Sequence, residues 1–174
     1  GAMAGVINIA TKELTDTSIE TTFGSNGQEI YNLNSGFGND FFNLSVNLND
    51  ETLDGYSSPD TQNKRDQVDN QAQSIKFNLN PINDLKISLG FNSARNNAYL
   101  VGPLTKNEFL SNPKQNSGNQ YNNYDYDIDR LSLKTSYELN KNISLIINYF
   151  DEDKSQHAIT SYSNDTFDWT AKAQ

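Results

Sequence analysis

Hydrophobic and polar residues alternate along several stretches of this 174-residue chain. In residues 42–49, Phe, Leu, Val and Leu alternate with Asn, Ser, Asn and Asn. Successive side chains of a β-strand point to opposite faces, so a period of two predicts strands with one apolar and one polar face. The same pattern, strong or weak, occurs in residues 16–24, 31–37, 75–80, 85–92, 131–139, 143–149 and 167–173.

The connections between these predicted strands differ in length at the two ends of the sheet. Short turns are expected at residues 38–40, 81–84 and 140–142, and long polar loops at residues 51–71, 97–125 and 153–165. Only the short connection at residues 24–27 breaks this alternation. Short turns at one end and long loops at the other are typical of transmembrane β-barrels. We therefore predict an all-β fold, an antiparallel meander that forms a partial transmembrane β-barrel of about eight strands.

Composition restricts the alternatives. A hydrophobic content of 34% and a mean hydropathy of −0.74 would suit a soluble or disordered chain, but only alternate residues of a barrel strand face lipid. The sequence has no apolar run as long as a transmembrane helix and no signal peptide at its start. The net charge of −9 without a basic stripe argues against nucleic acid, and the lack of cysteine excludes disulfides and thiolate sites.

The first twelve residues carry the most specific motif. Small residues lead into Val6-Ile7-Asn8-Ile9, which is followed by Ala10 and then by Thr-Lys. This segment resembles the last plug-domain strand of TonB-dependent outer-membrane receptors, in which a sequence like A-x-G-G-V-I-N-I-x-T-K leads into the barrel. An ordinary core strand is the alternative. The matching positions are Ala4, Gly5, Val6, Ile7, Asn8, Ile9, Thr11 and Lys12, with Ala4 in place of one of the usual two glycines.

The resemblance implies a fragment of such a receptor. Residues 1–13 would be the C-terminal end of the plug, and residues 14–174 the N-terminal strands of a barrel of about 22 strands. Receptors of this family import a scarce metal chelate, here a ferric siderophore or cobalamin, across the outer membrane of Gram-negative bacteria. The implied partners are outer-membrane lipid, the chelate, and the TonB complex, which would bind a part of the plug upstream of Gly1.

Two other functions fit the pattern of strands less well. One is a small passive outer-membrane barrel, a porin or an adhesin, which would not need the motif at residues 4–12. The other is a soluble all-β binding module, which the Asn-rich polar faces of the strands disfavour. Catalysis is not expected, because His157 is the only histidine and is predicted to lie in a solvated loop.

Two groups of residues are candidates for binding. The first long loop holds carboxylates that could bind calcium, as in the cobalamin branch of the family, although solvated loop charge is the preferred interpretation. Aromatic residues near strand ends are candidates for the membrane interface, or else for ordinary cross-strand pairs. The carboxylates are Asp54, Asp60, Asp66 and Asp69, and the aromatic residues are Tyr124, Tyr126, Tyr149 and Trp169.

The alternation changes phase near Asp129 and Arg130, where we predict a β-bulge. On the N-terminal side of this point, Asp125, Asp127 and Asp129 are spaced to lie on one face of a strand. We expect that face to meet solvent or the lumen of the barrel.

Overall fold

The computed structural model describes residues 15–60, 63–116, 121–162 and 165–173. The predicted plug segment, residues 1–13, lies outside these ranges, so its placement stays a prediction.

The described residues form a single eight-stranded antiparallel sheet in the order β1 to β8. Each strand pairs with its neighbours in sequence, which confirms the all-β meander. The sheet is open, because β1 and β8 each have one neighbour. The strands are β1 (Thr17–Phe23), β2 (Glu29–Gly38), β3 (Phe42–Leu53), β4 (Val68–Ile82), β5 (Leu85–Val101), β6 (Tyr121–Asn140), β7 (Ile143–Tyr162) and β8 (Asp165–Ala173).

The predicted β-bulge at Asp129 and Arg130 is wrong. Strand β6 stays in continuous register with β5 and β7 through both residues. The register shifts instead between Leu79 and Ile82 and between Glu138 and Asn140, beside short turns. The change of phase in the sequence therefore reflects a change in which face is apolar, while the strand itself remains regular.

The predicted loop at residues 153–165 is also wrong. Strand β7 continues to Tyr162 and β8 begins at Asp165. The other two long loops are shorter than predicted for the same reason, since strands β3 to β6 extend into them. The polar residues of these segments predict loops. However, a strand with one face in water can carry polar side chains on that face, because its backbone hydrogen bonds to the neighbouring strands stabilise it.

A short helix, α1 (Lys106–Ser111), lies in the connection between β5 and β6. Thr105 begins it with a capping box: the backbone N–H of Thr105 donates to Glu108 Oε2 at 2.7 Å, and the backbone N–H of Glu108 donates to Thr105 Oγ1 at 3.4 Å. The hydrogen bond from the Thr105 backbone lowers the pKa of the Glu108 carboxyl. In the part of the chain that the structure describes, no helix has the length and apolarity needed to cross a membrane.

Burial in this sheet is the reverse of that in a soluble protein. Polar side chains are the most buried, with Asn78 at 0%, Asn43 at 4% and Ser45 at 5% exposure. The alternating apolar side chains are exposed, for example Leu131 at 51% and Ile147 at 55%. Ala158 is the one hydrophobic residue that is buried among those described.

Candidate functional site

The two faces of the sheet differ in composition. The apolar face carries Leu44, Leu89 and Leu133, whereas the polar face carries Asn43, Asn78 and Lys134; both assignments follow from strand alternation and register. The short-turn half is the part of the sheet that ends in the short β2–β3, β4–β5 and β6–β7 connections, and it carries these residues. The long-loop half is the rest.

On the apolar face of the short-turn half, hydrophobic side chains form rows across the strands. One row runs in register from β2 to β7 through Phe37, Leu44, Phe77, Leu89, Leu133 and Tyr149. Along β5 the band runs from Leu85 to Phe91, about 20 Å at 3.3 Å per residue. Transmembrane barrels carry an outward apolar band about 25 Å tall. The band therefore has an apolar composition like that of a lipid-facing surface, but on a tilted strand its height is less than 25 Å.

In the long-loop half the same face becomes polar and acidic. On β5, Ser93 and Arg95 follow Phe91 on this face. On β6, Leu131 is preceded on the same face by Asp129, Asp127 and Asp125, as predicted from their spacing. Arg95 Nε lies 3.5 Å from Asp127 Oδ1, and both side chains are exposed, so this ion pair adds little stability. This part of the apolar face is suited to water.

The polar face changes in the opposite sense. Six hydrophobic side chains lie in register across β3 to β8 in the long-loop half, on a face that elsewhere carries Asn, Ser and Lys. We call this set the aromatic row: Leu53, Val68, Ala98, Tyr124, Ala158 and Trp169. Ala158 is fully buried between Tyr124 and Trp169, while Trp169 keeps 43% of its surface exposed.

The amide oxygen of Asn122 lies beside the aromatic row without a hydrogen-bond partner among the described residues. Asn122 precedes Tyr124 by two residues on the same face and pairs with Leu100 and Thr160. Its Oδ1 is buried and accepts no hydrogen bond from the described residues. Buried polar atoms normally have partners, so Asn122 Oδ1 is an exception at this end of the polar face.

Hydrogen-bonded side chains hold the polar face together below the aromatic row. The amide of Asn49 donates to Asn32 Oδ1 at 2.7 Å, and Asn70 joins Asn96 to Glu51 across three strands. Nearer the short turns, Ser88 Oγ donates to Asn78 Oδ1 at 2.7 Å. A network with partners in place fixes the register and the shape of this surface.

Glu152 forms ion pairs at the boundary between the short-turn half and the long-loop half of the sheet. It pairs with Arg130 on β6 and with Lys154 on its own strand. Only 14% of the Glu152 side chain is exposed. One carboxylate shared between two cations leaves this part of the polar face with positive charge.

The four carboxylates considered as possible calcium ligands make other contacts. The carboxylate Oδ1 of Asp66 accepts from the backbone N–H of Ser57 at 2.7 Å, and Asp60 Oδ1 accepts from the backbone N–H of Lys64 at 2.8 Å. Asp69 lies in β4, while Asp54 lies beside Gly27. Among the described residues no group of three or more His, Cys, Asp or Glu is placed to hold a metal ion. The described carboxylates therefore shape the loop, and calcium binding stays a prediction.

The four predicted interfacial aromatic residues do not share a face. Tyr149 lies on the apolar face and is 58% exposed. Tyr124, Tyr126 and Trp169 lie on the polar face in the long-loop half, away from the apolar band. A lipid-facing position thus fits Tyr149, and the other three are better explained as part of, or next to, the aromatic row.

His157 lies in β7, so its prediction as a loop residue is wrong. Its Nε2 is 2.7 Å from Asp168 Oδ1 on β8. Ser155 is on the same strand and face, but Nε2 is already taken by Asp168. This arrangement links two strands.

Two features of the site were not recognised in the sequence. The aromatic row cannot be predicted without the register of the strands, because its members come from six strands and several are next to polar residues in the sequence. The cations of the polar face had a visible signal, since Lys76, Lys86 and Lys134 occupy polar positions of alternating stretches.

Comparison with protein-family models, with curated proteins and with solved structures gives no match for this chain.

Proposed function

We propose that the chain forms part of the wall of a TonB-dependent outer-membrane transporter that imports a small metal chelate, a ferric siderophore or cobalamin. The observation that carries the proposal is the reversed burial of the sheet. Asn43, Ser45 and Asn78 are buried, while large side chains of the apolar band such as Leu89 and Leu131 are exposed. In water such a sheet would expose a large hydrophobic surface, whereas in a bilayer the same surface is solvated by lipid.

The open edges support a wall that continues beyond these strands. β1 and β8 each present a row of backbone groups without a neighbour among the described strands. Unpaired backbone groups are costly inside a bilayer, so spanning sheets close into barrels. Eight strands would make up about a third of the 22-stranded barrel typical of plugged transporters.

The aromatic row supports a role in ligand capture. In the proposed orientation the polar face lines the lumen and the long-loop half faces the outside of the cell. The row then presents Tyr124 and Trp169 to an incoming ligand. Aromatic faces with a few polar groups suit small ligands that combine rings and heteroatoms.

Uptake in a Gram-negative host tests the transport class. Cells that produce the polypeptide containing this chain would be given labelled ferric siderophore or cobalamin, with and without a protonophore. We expect uptake that stops when the protonophore is added, because import through this class is energised from the inner membrane. Uptake that continues would identify a passive barrel, and recovery of the protein in the soluble fraction would identify a soluble module.

The capture site has its own test. Replacement of Tyr124 and Trp169 together by Ala should weaken ligand binding by about tenfold, since two aromatic contacts are lost. Tyr149→Ala is the matched control, because its ring lies on the apolar face. Equal losses in both variants would contradict a capture role for the aromatic row.

A further inference from the structure

A second concave surface lies on the polar face in the short-turn half, away from the aromatic row. It is a hollow of about 780 Å³ formed by β4, β5, β6 and β7. Its position on the opposite side of the sheet from the apolar band keeps it in contact with water. Pockets of this size accommodate small organic molecules.

The hollow concentrates positive charge in an acidic protein. The chain has a net charge of −9 and 13 Lys and Arg residues in all. Four of these, Lys76, Lys86, Arg130 and Lys134, line the hollow, and none of its lining residues is Asp or Glu. Glu152 offsets part of the charge of Arg130 from one side. The surface therefore attracts anions even though the whole protein repels them.

Gly90 forms the floor of the hollow. It pairs with Lys76 on β4 and with Ser132 on β6. A Cβ atom at Gly90 would lie only 2.6 Å from Ser132 Oγ, and that hydroxyl donates to the Gly90 carbonyl oxygen at 3.3 Å. The missing side chain is what leaves room above the sheet, with a hydroxyl group at its edge.

The cations surround this floor. Lys76 stands directly across from Gly90, and Arg130 and Lys134 flank Ser132 at two residues on either side. Strands are about 4.8 Å apart and residues about 3.3 Å apart along a strand, so these three Cα atoms lie within about 14 Å of one another. Side chains at Lys76 and Lys134 are long enough to extend over Gly90, whereas the guanidinium of Arg130 is paired with Glu152 on β7.

We infer that the hollow binds a small polyanion that carries several carboxylate or phosphate oxygens. Multiple oxyanions match the separated cations, because each ammonium or guanidinium group forms a charge-assisted hydrogen bond with one group of the ligand. Serine hydroxyls and asparagine amides of the lining supply further donors. This inference does not depend on the transport function, since the hollow and the aromatic row occupy different halves of the polar face.

Binding is tested on the purified whole chain in detergent micelles, by calorimetric titration with pyrophosphate and with the tricarboxylate tricarballylate. Lys76→Gln combined with Lys134→Gln should weaken binding at least about tenfold, the loss of two charge-assisted bonds. The control is Lys141→Gln combined with Lys172→Gln, which removes the same charge elsewhere. We expect the control to bind as the parent does.

A second variant tests the shape of the hollow without changing its charge. Gly90→Ala in a Ser132→Ala background fills the floor and removes the hydroxyl that would clash. It should bind more weakly than Ser132→Ala alone. The proposal would be overturned if the parent bound neither probe, or if the charge control weakened binding as much as the Lys76→Gln, Lys134→Gln variant does. Tighter binding of an oligoglutamate peptide than of both probes would also overturn it, in favour of a polypeptide partner.

Discussion

At the scale of single residues, a few side chains hold positions that their chemistry alone does not explain. Ala158 is fully buried in a largely polar part of β7, because Tyr124 and Trp169 flank it across the sheet. Asn78 is fully buried on the face opposite the hydrophobic side chains, and Ser88 donates to its Oδ1. Register determines both positions.

Ala158→Asp should destabilise the sheet by about 2–4 kcal/mol, because a carboxylate would be buried among hydrophobic neighbours. Ser155→Asp is the matched control, since Ser155 lies on the other face of the same strand. Denaturant unfolding in detergent measures both free energies. Equal stability of the two variants would show that Ala158 is not enclosed by the aromatic row.

The capping box of α1 should weaken in acid. The pKa of Glu108 lies below its ordinary value of 4.5 in the folded chain, mainly through the hydrogen bond from the Thr105 backbone. Its contribution is therefore fully present above that value and is lost as the pH falls through the lowered pKa. The protection factors of the Phe109 and Leu110 amides, which correct for the slower intrinsic exchange in acid, should fall in this range. Glu108→Gln should flatten this pH dependence, whereas unchanged acid sensitivity in the variant would assign it to another group.

At the scale of the elements, each long strand has two chemically different halves. In β6 the apolar face carries Leu131 and Leu133 near the short turn and Asp127 and Asp129 toward the long loops. Tyr124 and Ile128 lie on the opposite face. The strand stays regular because its backbone hydrogen bonds do not depend on which side chains it carries. The surroundings of each half therefore determine which residues suit it.

Leu44→Arg should cost about 2–4 kcal/mol of stability in a bilayer, because the arginine would be placed in hydrocarbon. Asn47→Arg on the same strand is the control, since it points to the polar face. Reversible unfolding from lipid vesicles measures the difference. Similar costs for the two variants would mean that the apolar band does not face lipid.

At the scale of the whole molecule, the open sheet presents a hydrophobic band and two edges that no other described strand covers. Both features promote association in water. We expect the purified chain to sediment as aggregates in plain buffer and as a discrete species in detergent. A stable monomer without detergent would favour the soluble binding module over a membrane wall.

The sequence by itself determined the strands and their order. Alternation in residues 42–49 and 85–92 requires one apolar and one polar face, and tight turns between neighbouring strands leave pairing in sequence order as the simplest arrangement. The tertiary structure decided what alternation cannot. It showed that residues 153–162 continue a strand, because polarity alone does not separate a loop from a strand exposed to water.

The aromatic row and the cationic hollow also needed the tertiary structure. Residues as distant in sequence as Leu53 and Trp169 become neighbours of one surface only after every intervening strand has fixed its register. A shift of one residue in any pair would send half of such a row to the other face. The local sequence pattern determines which side chains each strand places on its two faces. Pairing between strands determines which of those side chains become neighbours.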